Sequence, residues 1–330
     1  MYARILIIAA IGITVCAPVQ DAETPNRQPP VDGEPAVGKI SFQRTEAEIR
    51  VLCDGEIFTS LHFDDVQKPY LYPITSARGV WVTRGYPTEL RPGETKDHPH
   101  HTSLWFAHGD VNGHDFWHGP HGERIVHVES HVLPTTPSKP NPGVQSTFQW
   151  RDPDGGVICT EQRIMRFRAD QSTRTIDFDL TLIATAEQVT FGDTKEGLFA
   201  MRLAPILRLT GAVAQGSARN SAGVTGKDVW GKRAKWIEYS GPIDGEIVGV
   251  AIFDHPDNPR HPTWWHAREY GLVAANPFGR RAFEGKREQS GDLVIQNGES
   301  IRLRYRIVIH DGAWDAKRLE AAFTEWITPQ

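Results

Sequence analysis

Cysteine, blocks of like charge and long apolar runs are scarce in this chain, and each shortage removes a class of protein. Of 330 residues only Cys16, Cys53 and Cys159 are cysteine, too few for a zinc site built on thiolates alone. Cys16 falls in the N-terminal leader. Cys53 and Cys159 sit in strand-like segments, and the sequence leaves open whether they pair or are simply buried small hydrophobes. No stretch reaches the roughly 18 apolar residues of a membrane-spanning helix. The formal net charge is −5 with both signs interspersed, so there is no basic block and no nucleic-acid partner is expected. A glycine-rich phosphate loop and a Gly-x-Ser-x-Gly elbow are also missing, which argues against nucleotide enzymes and serine hydrolases.

Aromatic residues, by contrast, are plentiful: 14 Phe, 10 Trp and 7 Tyr can supply a core although the apolar fraction is only 39%. Tryptophan also forms walls for sugar rings. At the N-terminus, Arg4 precedes an apolar run over residues 5–17, the pattern of a secretory signal. The expected division is a signal peptide at 1–22, a disordered leader at 23–38 rich in Pro, Glu and Asp, and a single β-sandwich domain at 39–330. The protein is therefore expected to be secreted or periplasmic. A lipoprotein anchored at Cys16 is the lesser alternative, because Val15 fits that signal poorly.

From Ile40 onward the pattern is one of short strands. Over residues 175–185, Ile176, Phe178, Leu180 and Leu182 alternate with Asp177, Asp179 and Thr181. Over 301–310, five apolar residues alternate with Arg302, Arg304 and Arg306. A period of two with one polar face signals antiparallel strands packed on one side. Further strands are expected at 49–53, 124–133, 157–167, 204–210, 236–239 and 246–253, with turns such as Asp244-Gly245 between them. Residues 134–144 read as an exposed proline-rich connection. Only 313–326 reads as a helix, with Ala316, Leu319, Phe323 and Trp326 as its packing stripe. The fold class is all-β: a large antiparallel β-sandwich with a C-terminal helix.

Nine of the 14 histidines fall between residues 98 and 131. The run Asp97-His98-Pro99-His100-His101 is read as extended, which puts His98, His100 and Thr102 on one face. Two imidazoles spaced in this way can hold a divalent metal with a third ligand, act as a metal-free acid and base, or serve structure alone. His127, Glu129 and His131 share a strand face and look like a metal triad on paper, though a solvated outer face is the preferred reading. Glu196, at the end of a polar turn, is a candidate base or metal ligand, and Gly197 beside it permits close approach of a ligand. Arg202 lies in an apolar strand and needs a partner, either a substrate carboxylate or Glu196. The proline-punctuated stretch 254–270 places His255, Trp264, His266 and Arg268 after a hydrophobic strand, a composition suited to ligand recognition.

Several of these runs together resemble a family of bacterial proteins of unknown function that carries the label "methane oxygenase PmoA". The resemblance rests on Asp97 to His101 with Leu104-Trp105-Phe106, on Lys195-Glu196-Gly197-Leu198-Phe199, on Trp230-Gly231-Lys232-Arg233, on Trp264-Trp265-His266-Ala267-Arg268 and on Ala275-Asn276-Pro277-Phe278-Gly279. It implies an exported protein with a large sandwich, akin to the galactose-mutarotase supersandwich. The expected function is a carbohydrate-active hydrolase, lyase or epimerase using His98, His100, Glu196 and His266 as acid–base groups. Trp105, Arg202, His255, Trp264 and Arg268 would bind the carbohydrate, and His98 and His100 are the residues for a divalent metal if one is used. A non-catalytic carbohydrate-binding protein and a metal-dependent oxygenase are the alternatives.

Overall fold

A computed structural model describes residues 37–136, 141–285 and 288–328. The expected signal at 1–22, and all of the leader at 23–38 except Val37 and Gly38, lie outside the described residues. The alternating segments pair into two eight-stranded antiparallel sheets. In spatial order the first holds Ile40–Arg44, Glu48–Cys53, Glu56–His62, Tyr70–Ile74, Leu104–His108, Gly197–Arg202, Leu272–Asn276 and Trp264–Ala267. The second holds Ser217–Asn220, Trp236–Ile243, Glu246–Asp254, Ser300–Asp311, Thr173–Ala184, Val157–Ala169, Gly143–Arg151 and Arg124–Leu133. Gln188–Phe191 and Leu293–Gln296 make a separate two-stranded ribbon.

The faces follow from which side chains meet. Phe106 packs on Trp150 of the second sheet with centroids 5.8 Å apart, and Phe199 on Phe178 and Tyr305 at 4.8 and 4.6 Å. Phe106 and Phe199 therefore point into the space between the sheets. By alternation Trp105, Ala200 and Arg202 point to the outer face of the first sheet.

The second sheet shows the expected period two. Thr173–Ala184 alternates buried and half-buried residues along its length, and Arg306 and Arg302 on the neighbouring strand pair with Asp177 and Asp179. Glu246–Asp254 is instead buried continuously from Val248 onward. The reason is the C-terminal helix Ala316–Ile327, which starts where Asp315 accepts the Arg318 N–H at 2.8 Å. Its Leu319 and Phe323 cover Trp236, Ala251, Phe253 and Val308, each burial stabilising by about 1.5–3 kcal/mol. Of the expected stripe, Ala316 is exposed.

Three expectations about elements need correction. Residues 204–210 are no strand: Pro205 lacks an N–H for a ladder, and Pro205–Leu207 forms a single 3₁₀ turn. Gly143 and Val144 belong to a strand and are buried, so the connection from 134 ends earlier; its residues 137–140 lie outside the described residues. Residues 98–101 form a tight turn, closed by the His101 N–H donating to the His98 carbonyl at 3.0 Å, with His98 at φ +47°. His98 and His100 thus do not share a strand face. Cys53 and Cys159 are both buried and unbridged.

Candidate active site

Four adjacent strands lay the base of the site. Trp105, Ala200, Ala274 and His266 are successive cross-strand partners, so they form one row across the outer face of the first sheet. Only alanine methyls stand between the two large rings. Above this face a cleft of about 260 Å³ opens, lined by nine residues. His98, His100 and His101 come from the 98–101 turn and His118 from a second turn. Lys195 and Glu196 come from the polar turn before Gly197–Arg202, and His266, Arg268 and Tyr270 from the last strand of the sheet and the loop after it.

The histidine turn is pinned from behind by two buried arginines. Arg84 donates to the Asp97 carboxylate at 2.7 Å and to the Asp97 and His98 carbonyls at 3.0 and 3.1 Å. Arg202 donates to Asp97 at 2.9 and 3.2 Å and to His101 Nδ1 at 2.9 Å. Burial alone would raise the Asp97 pKa, but hydrogen bonds from Thr95, Arg202 and His98 outweigh it and hold the carboxyl well below its usual range. Because a guanidinium can only donate, His101 Nδ1 accepts, and the ring carries its proton on Nε2. Burial, then His100 and Arg202, keep this imidazole neutral.

Two imidazoles on the cleft are oriented by carboxylates. His98 Nδ1 lies 2.7 Å from Asp97 Oδ2, and His118 Nδ1 lies 2.7 Å from Asp115 Oδ2. Each neutral ring therefore donates from Nδ1 and keeps the lone pair on Nε2 for a ligand. Rings also fix their planes: Trp105 stacks on His101 at 5.2 Å, His101 on His98 at 4.7 Å and His98 on Tyr270 at 5.1 Å. The His118 turn is held from beneath by Lys68, fully buried, whose Nζ donates to the Trp117 carbonyl at 2.8 Å. Burial pulls the Lys68 pKa down to about 7 against the attraction of Asp115. His100 lies between the dyads, 4.3 Å from the His118 ring and 5.7 Å from that of His98, with no hydrogen-bond partner among the described residues. Burial, then His118 and Lys68, lower its pKa to about 3.

On the opposite side, Arg268 Nε donates to His266 Nε2 at 3.1 Å. His266 is buried, and burial lowers its pKa to about 4 despite nearby Glu196. Its lone pair is occupied, so it positions Arg268 and is not a free base. Glu196 pairs with Lys195.

The structure thus brings His98, His100, Glu196, His266 and Arg268 together, and leaves four expected site residues elsewhere. Trp105 is buried beneath His101. Trp264 is buried under the Arg233 guanidinium, 4.6 Å from its ring. Arg202 is fully buried with Asp97 as its partner, neither Glu196 nor a ligand. His255 lies on the far sheet, packed edge-on against Trp326 at 5.0 Å. The close approach that Gly197 permits is to His108, whose Nδ1 would lie 2.4 Å from an added Cβ. Sequence reasoning missed His101, His118, Lys195 and Tyr270 as lining residues. His118 had a local signal, an aspartate three residues earlier whose carboxylate caps the turn through the Trp117 and His118 N–H groups at 3.0 and 2.9 Å.

A metal fits poorly. Among the described residues no three His, Cys, Asp or Glu side chains converge as ligands. The His127 triad is broken by a bulge between His127 and Glu129; His127 turns to Ser130 at 2.8 Å and stacks on Phe63. Among the described residues no helix is long and apolar enough to cross a membrane.

Sandwich and cleft together define an all-β protein with a histidine-lined cleft. The chain belongs to a family described as one of unknown function, DUF6807, whose profile matches residues 48–324. The methane oxygenase label is no part of that description. No curated protein matches the chain. Among solved structures it is similar to a polysaccharide lyase (11% identity, 86% of this chain and 34% of the other, TM-score 0.32). It is also similar to a galactose mutarotase-like protein from Clostridium acetobutylicum (8%, 83% and 99%, TM-score 0.37). A third is the galactosidase domain of an alpha-galactosidase–sucrose kinase (8%, 83% and 41%, TM-score 0.38). The chain spans about a third of the lyase's length.

Proposed function

We propose that the cleft binds a single sugar unit and moves a proton on it by paired imidazole acid–base chemistry. The observation that carries this reading is the pair of aspartate-oriented histidines, His98 with Asp97 and His118 with Asp115, opening on one cleft. A base held by a third group is the general arrangement for proton abstraction. One ring, neutral at the start, takes the proton through Nε2; the other starts as the imidazolium and returns the proton of its own Nε2, with His100 between them. His101 Nε2–H donates to the oxygen on which charge develops. The volume of about 260 Å³ falls below the ~300–1,000 Å³ of sites for larger ligands, which suits one ring.

Among the described residues Glu196 is the only carboxylate lining the cleft. Glycoside hydrolysis by two carboxylates lacks its second member here, so epimerase or lyase chemistry is favoured over hydrolysis. A purely binding module would want an exposed aromatic wall, and Trp105 and Trp264 are buried. An oxygenase would want converging metal donors, which the described residues do not form. The exported location is carried by the N-terminal sequence pattern.

The test is turnover on a panel of mono- and disaccharides, with product stereochemistry and unsaturation followed by NMR. His98→Ala and His118→Ala should each cost roughly 10²–10⁴-fold in kcat, and Asp97→Asn and Asp115→Asn less. Full turnover with either imidazole removed would refute the assignment.

A further inference from the structure

We propose that the natural ligand is an acidic sugar whose carboxylate, as in a hexuronate, is bound by Arg268. The inference rests on the reading of the cleft as a carbohydrate site and narrows it to one substrate class.

Arg268 is the one arginine lining the cleft. Arg84, Arg202, Arg302 and Arg306 all hold carboxylates. Arg268 has none among the described residues: its Nε donates to His266, and its terminal nitrogens donate to no protein group. Trp230 lies 4.9 Å from the guanidinium carbon and fixes its plane. A planar fork held at Nε with both ends free matches the two oxygens of a carboxylate. Glu196 does not fill this role, because it pairs with Lys195.

Charge around the cleft supports the same class. The whole chain is acidic at −5. Yet Lys68, Arg84, Lys195, Arg202 and Arg268 stand in or behind the cleft against only Asp97, Asp115 and Glu196. Cationic neighbours are among the causes that hold His100, His101 and His266 neutral. An anion on Arg268 supplies the compensating charge and restores basicity to these imidazoles.

Calorimetric titration of the full mature chain with glucuronate, galacturonate, glucose, galactose and glucose 6-phosphate tests this. The uronates should bind roughly ten- to a hundredfold tighter than the neutral sugars, and Arg268→Gln should abolish that preference. If Arg268→Gln does not fold, Arg268→Lys keeps a cation over Trp230. It should weaken glucuronate about tenfold, since an ammonium lacks the fork, and leave glucose unaffected. Equal binding of acidic and neutral sugars, with turnover still dependent on His98 and His118, would overturn the carboxylate assignment and leave the proposed function standing. Tighter binding of glucose 6-phosphate would also overturn the carboxylate. Binding of no sugar at all would overturn both.

Discussion

Arg202 donates to His101 on one side of the cleft and Arg268 donates to His266 on the other, yet the two pairs present opposite ends to the ligand. In the first both members are buried, Asp97 neutralises the arginine, and the imidazole lines the cleft as a fixed neutral N–H donor. In the second the imidazole is again buried, and the half-buried guanidinium lines the cleft with no carboxylate partner among the described residues. The same contact thus yields an electrophile in one place and an anion anchor in the other. The partner placed next to the sheet becomes scaffold, and its mate becomes the working group. Counting histidines in the sequence cannot make that distinction.

Removing a scaffold member should have the largest effect. Arg202→Met leaves the His101 lone pair unmatched and half-buried Asp97 with Arg84 alone, and should lower stability by about 1.5–3 kcal/mol in urea unfolding. A loss under about 1 kcal/mol would mean that the pair does not pin the turn. Replacing a working group should remove function. His101→Phe keeps the stack on Trp105 and removes the donor, so kcat should fall about 10²–10³-fold, and the urea midpoint should also drop because a buried Arg202 N–H loses its acceptor. The counterpart His266→Phe frees the Arg268 fork without discharging it, and should raise KM by roughly tenfold with kcat nearly constant. Equal effects of these two substitutions would erase the contrast between the pairs.

Acid titration offers a smaller effect of defined sign. The folded chain leaves His100 and His266 unprotonated down to about pH 3 and about pH 4, below the ordinary histidine value of 6.5 that the unfolded chain retains. The unfolded state therefore binds more protons through that window, and stability should fall as pH drops from about 6.5 toward 4. His266→Phe should flatten part of the slope, and an unchanged slope would show that His266 is not buried neutral. The smallest ligand effect is expected at Trp264→Phe, less than about twofold in KM, because Trp264 is packed under Arg233 and away from the cleft. A large loss of sugar affinity there would return Trp264 to the site.

The fold was legible wherever one face meets water. Asp177, Asp179 and the arginines at 302 and 306 announce their strands because they sit opposite a buried apolar set and pair across it. The strands of the site were harder to read. Leu104–His108, Gly197–Arg202 and Trp264–Ala267 are buried on both faces, so no period of two survives in their sequence. The concentration of histidine and the segment holding Glu196, His266 and Arg268 marked the region of the cleft. Their roles depended on partners distant in sequence. Asp97 finds Arg202 105 residues away, and that contact makes the histidine stretch a turn, fixes the His101 tautomer and takes Arg202 out of the ligand's reach. Trp264 reads as a sugar-binding ring, but the sheet buries it as it buries Trp265.

The tautomers of the cleft imidazoles test the account most directly, read from the nitrogen shifts of ¹⁵N-histidine-labelled protein between about pH 5 and 8. The account predicts His101 neutral throughout, protonated on Nε2 with a bare Nδ1, and His98 and His118 protonated on Nδ1 when neutral. A His101 that carries its proton on Nδ1, or that titrates near the ordinary histidine value of 6.5, would contradict the Arg202 contact and the donor built on it.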